Sequence, residues 1–89
     1  MTTTIDEVSV KVSSERLYES LMTLAEIGAT EKGGNCRLAL TNLDGQARDL
    51  VVGWMRDAGM SISIDQVGNI FARRPGLRND LPPVMTGSH

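Results

Sequence analysis

Apolar residues recur along this chain with two different periods, and the change of period marks out its elements. Over residues 14–27, Leu17, Leu21, Leu24 and Ala25 follow one another at spacings of four, three and one. That is the stripe of an amphipathic helix, widened by Met22 and Ile27, with Glu15, Glu19 and Glu26 left outward. Ser13 or Ser14 can cap its start, because a Ser hydroxyl accepts from an otherwise unpaired N–H of the first turn. Gly28 can stop it, since glycine takes the left-handed conformation cheaply. A clearer stripe runs over residues 42–58, where Ala47, Leu50, Val51, Trp54, Met55 and Ala58 repeat with a period near 3.6. Thr41-Asn42-Leu43-Asp44 places a cap with an acid three positions on, a variant of the capping box, and Gly59 closes the helix. Gly53 in its interior costs about 1 kcal/mol relative to Ala, so close packing is expected there.

The period then falls to two. Met60 to Asp65 alternates apolar and polar, the mark of a half-buried strand. Gln66-Val67-Gly68-Asn69 is a turn signal and Ile70 to Arg73 resumes extended structure, so residues 60–74 read as a β-hairpin. Between the helices, Lys32-Gly33-Gly34-Asn35 signals a loop. Pro75-Gly76 ends the hairpin, and Leu77 to Pro82 reads as a surface loop. Pro83-Val84-Met85-Thr86 reads as a third strand, over residues 83–88, with side chains suited to a sheet interior. Residues 1–12 form an N-terminal extension. Two helices, a hairpin and one strand leave that last strand with an open edge, so the α/β fold is expected to be incomplete in this chain.

Composition narrows the function. A length of 89 residues allows one small domain or a piece of a larger one. Eleven acidic residues against nine Lys and Arg leave no excess of positive charge to neutralise phosphates, which argues against a dedicated nucleic-acid binder. Residues 1–32 carry a net charge of −3 and residues 33–89 a net of +1, too small a contrast to steer a ligand. A single cysteine, Cys36, excludes an internal disulfide and a Cys-rich zinc site. No stretch approaches the roughly 18 apolar residues that span a bilayer. The first residues carry neither the basic segment nor the apolar core of a secretory signal. The expectation is a soluble, cytoplasmic protein without a membrane partner.

Four segments in order carry a resemblance: Gly33-Gly34-Asn35-Cys36-Arg37-Leu38-Ala39-Leu40-Thr41, Trp54-Met55 with Ala58-Gly59, Asp65-Gln66-Val67-Gly68-Asn69, and Thr86-Gly87-Ser88-His89. Together, over residues 14–89, they resemble the N-terminus of the N-carbamoyl-L-amino-acid hydrolases, relatives of the allantoate amidohydrolases and bacterial-type β-ureidopropionases. The resemblance implies a much longer chain with a zinc-exopeptidase-like α/β catalytic domain, of which these residues would supply two helices, a hairpin and the first central strand. It implies homodimers formed through a smaller domain absent from this sequence. It also implies two divalent metal ions, zinc or manganese, cobalt or nickel, and a small ureido substrate cleaved to amine, carbon dioxide and ammonia. His89 matches the first metal ligand of a Gly-Ser-His-x-Asp motif at a strand's carboxyl end, a usual place for sites in open α/β sheets. The bridging Asp, the further ligands and the general-base glutamate would follow His89. Two cations about 3.5–4 Å apart polarise an amide carbonyl and turn bound water into hydroxide near neutral pH. One imidazole supplies one bond of such a set, so the 89-residue chain alone is expected to be inactive, with no catalytic residue of its own and its metals unbound. Cys36 stands where Thr, Asn or Val is usual in the family, which touches no chemistry.

Other readings compete. A terminal histidine such as His89 is, without the motif around it, most often merely solvated. Asp65 and Asn69 could be an active-site pair, but Asx side chains in a hairpin turn usually bond to nearby backbone. Cys36 has no histidine in its segment to activate it as a nucleophile. Trp54 and Met55 at helical spacing are more often core than a recognition surface. Arg73, Arg74 and Arg78 read as a solvated hairpin end, and Gly33-Gly34 is too short for a phosphate cradle. As alternatives to the hydrolase, the chain would be a non-catalytic module pairing through its exposed strand, or part of a related aminoacylase or dipeptidase.

Overall fold

The computed structural model describes residues 10–88, so most of the N-terminal extension, and His89, lie outside the described residues. Its elements, in chain order, are α1 (Ser14–Glu26), α2 (Asn42–Asp57), β1 (Ser61–Ile64) and β2 (Ile70–Arg73). Each expected helix is present and its bounds differ from the sequence reading by at most one residue. Contacts group the chain into two units that divide between Ala47 and Arg48, within α2.

Of the two candidate caps of α1, Ser13 is the one used. Its backbone is extended and its hydroxyl accepts from the Arg16 N–H at 3.3 Å. At the other end the Ile27 N–H donates to the Leu24 carbonyl, and Gly28 turns the chain away at φ +84°. The apolar stripe forms but is not covered: no residue of α1 is buried, and Leu17 and Leu21 each remain 53% exposed. A helix stripe gains hydrophobic free energy only when a second surface removes it from water.

The loop after α1 is more ordered than its glycines suggested. Cys36 N–H donates to the Gly28 carbonyl at 2.8 Å, Ala29 and Asn35 form an isolated antiparallel bridge, and Thr30 and Gly34 close the turn between them.

At the start of α2, the Thr41 hydroxyl accepts from the Asp44 N–H at 3.3 Å, as a cap should. Asp44 reaches back to the N–H of Leu40 instead of that of Thr41, so the capping box closes one residue early. Leu40 accommodates this with a left-handed backbone, φ 67°. Along the helix Ala47 is buried and Leu50, Val51, Trp54 and Met55 are half-buried, which agrees with the stripe. Ala58 is exposed, however, and Val52, outside the stripe, is buried. The close packing expected at Gly53 is absent. A Cβ placed there would meet nothing within 4 Å, because that side of the helix faces open space among the described residues.

β1 and β2 form the expected hairpin, antiparallel in the register Ser61↔Arg73, Ile62↔Ala72, Ser63↔Phe71 and Ile64↔Ile70. Alternation places Ile62, Ile64, Ile70 and Ala72 on one face, of which Ile62, Ile70 and Ala72 are half-buried. The strand expected over residues 83–88 is not formed: residues 82–88 carry no regular structure, and Val84 and Met85 are exposed. A strand exists only through ladder bonds to a neighbour, and the described sheet has two strands, each paired with the other alone. The first central strand of the α/β reading therefore has no counterpart among the described residues.

Candidate functional site

Asp65 and Asn69 sit at the two ends of the five-residue turn between β1 and β2, where the chain reverses. Asp65 Oδ1 accepts from the backbone N–H of Val67 at 3.1 Å and of Asn69 at 2.8 Å, and its Oδ2 accepts from Asn69 Nδ2 at 2.8 Å. The backbone closes the same turn, with Asp65 N–H donating to the Asn69 carbonyl and Gly68 N–H to that of Asp65, both at 3.1 Å. Gly68 occupies the left-handed region at φ +89°. Its carbonyl accepts from Arg48 Nη2 at 2.6 Å, which ties the turn to α2. These bonds, led by the Asn69 side-chain amide, hold the Asp65 carboxyl below its ordinary value of 3.8. The carboxylate stays charged at neutral pH with both oxygens engaged, so it is a turn-builder and not a free base. The turn reading of this pair is the one the geometry bears out.

The Gly-Gly-Asn-x-Arg segment has a comparable task at α1. Asn35 Nδ2 donates to the carbonyls of Ala25 at 3.1 Å and Ile27 at 2.8 Å, and Arg37 Nη1 donates to that of Leu24 at 3.1 Å. The carbonyls of Ala25 and Ile27 at the end of the helix thus find a partner in the following loop, and that of Leu24, which already accepts from the Ile27 N–H, gains a second donor. Gly28 is required for that approach. A Cβ on it would lie 2.6 Å from both the Cys36 carbonyl oxygen and Arg37 Cγ. Sequence reading did not anticipate these roles of Arg37 and Arg48. Arg37 follows a glycine-rich turn, but Arg48 lies inside α2, 20 residues from Gly68, and nothing in the sequence sets either apart from a surface charge.

The remaining candidates separate in space or stay in solvent. Cys36 is an exposed free thiol. Arg73 and Arg74 are exposed, and Arg78 pairs with Asp80 through Nη2–Oδ2 and Nε–Oδ1 contacts of 2.5 and 3.2 Å. That pairing holds the Asp80 carboxyl below its ordinary value. A shallow depression of about 290 Å³ at the start of α1 is lined by Lys11, Val12, Ser13, Arg16, Leu17 and Ser20, with no carboxylate or imidazole. Among the described residues no three His, Cys, Asp or Glu side chains come together in a way that could hold a metal ion. The described residues therefore form no metal centre by themselves, and His89 lies outside them. Nor is any helix among those residues long and apolar enough to cross a membrane.

No family model matches the chain. Individual relatives do. It is 44% identical over 79 residues to an N-carbamoyl-L-amino-acid amidohydrolase of Rhizobium meliloti, covering 89% of this chain and 19% of that protein. It is 44% identical over 81 residues to one from Pseudomonas sp. strain NS671, covering 91% and 20%. A ureidoglycolate hydrolase of Arabidopsis thaliana is 35% identical over 81 residues, covering 91% and 17%. Among solved structures, a hydantoinase/carbamoylase family amidase from Burkholderia vietnamiensis superposes with a TM-score of 0.86 at 58% identity, covering 91% of this chain and 20% of that one. The chain thus spans about a fifth of the length of the relatives it matches. Its two helices and antiparallel hairpin are a fragment of a larger fold. By sequence and by structure, the chain is homologous to the N-terminal fifth or so of the hydantoinase/carbamoylase amidases, the family of the N-carbamoyl-L-amino-acid amidohydrolases and ureidoglycolate hydrolases.

Proposed function

We propose that these 89 residues are the N-terminal segment of a metal-dependent hydrolase of non-peptide carbon–nitrogen bonds, acting on N-carbamoyl-L-amino acids or related ureido compounds. The observation that carries this reading is the 44% identity to N-carbamoyl-L-amino-acid amidohydrolases over nine-tenths of the chain. Within it the described segment is a scaffold: Asn35 and Arg37 bond the carbonyls at the end of α1, and Arg48 ties the hairpin turn to α2. His89, directly after Thr86-Gly87-Ser88, is the one residue offered to a metal, and every other ligand and the proton-transferring groups come from the remaining four-fifths of a zinc-exopeptidase-like enzyme. The segment on its own performs no turnover.

The test is a pair of assays with an N-carbamoyl-L-amino acid in the presence of zinc or manganese. The purified 89-residue chain is expected to release no ammonia. The same chain joined to the remaining four-fifths of the Rhizobium meliloti relative, in place of that protein's own N-terminal fifth, is expected to release it. Turnover by the short chain, or a folded chimaera that is inert, contradicts the reading.

A further inference from the structure

We draw no further inference here: the strongest candidate, the exposed apolar run of Leu77, Leu81, Val84 and Met85 that follows the hairpin, carries nothing because no observation in the structure shows what covers it.

Discussion

Asn69 approaches Asp65 twice, its backbone N–H donating to Oδ1 and its side-chain amide to Oδ2, each at 2.8 Å. Both bonds favour the charged carboxylate, so the folded acid titrates below 3.8. For a depressed acid the stabilising contribution is complete above the ordinary value and is lost as pH falls through the lower folded one. Amide exchange at Val67 and Asn69, relative to intrinsic rates, is therefore expected to quicken below about pH 4. In Asp65→Asn the acid dependence at these two amides is expected to flatten and their protection at neutral pH to fall. Unchanged protection in that variant contradicts the assigned role.

Three glycines are expected to respond differently to alanine. Gly28→Ala combines a left-handed backbone with a Cβ 2.6 Å from backbone and side-chain atoms, and should be the most damaging. Gly59→Ala meets nothing within 4 Å but keeps φ +84°, so it should cost only the strain, about 1–2 kcal/mol. Gly53→Ala sits in open space inside α2 and should stabilise by up to about 1 kcal/mol. Urea denaturation followed by helical circular dichroism ranks the three. A destabilising Gly53→Ala would mean that a surface does pack there.

The end of α1 depends on Arg37 and Asn35. Arg37→Met keeps much of the apolar stem and removes the donor to the half-buried Leu24 carbonyl contact, with an expected loss of about 1–2 kcal/mol. Asn35→Ala should cost less, since its contacts are exposed and water can replace the lost donor. The same denaturation experiment measures both, and equal effects would argue against the difference in burial.

Arg48 is expected to matter more than its charge suggests. Its 2.6 Å bond to the Gly68 carbonyl is the side-chain link from α2 to the hairpin turn. Arg48→Met should cost about 1–2 kcal/mol and loosen amides 65–69. The effect should persist in high salt, since a hydrogen bond to a neutral carbonyl depends little on screening. Complete rescue of the loss by Arg48→Lys would contradict the need for the guanidinium's reach and planar geometry.

Much of this was legible in the residues because it is local. Thr41 and Asp44 announce the start of α2, Gly59 its end, and the alternation from Met60 to Ile64 with Gly68 in the turn announces the hairpin. What failed is non-local. Whether Leu17 and Leu21 are buried, whether Val84 and Met85 join a sheet, and whether anything fills the space beside Gly53 depend on surfaces that this stretch of sequence does not encode. The same limit applies to the site. Asp65 and Asn69 explained themselves as a turn, because their partners lie within four residues. A metal centre would draw its ligands from distant parts of a chain, so only one candidate, His89, could be singled out, and that by resemblance.

In the proposed enzyme this segment contributes a single imidazole, that of His89, to the chemistry. The most direct measurement is metal content and decarbamoylation rate of the chimaera described above, with His89 intact and as His89→Ala. With His89 intact it is expected to hold about two divalent ions per chain and turn over, while His89→Ala, still folded by circular dichroism, loses bound metal and falls in rate by about 100-fold or more, an amount consistent with losing a metal-organising group. A folded His89→Ala chimaera that keeps both its metal and its rate would contradict the claim.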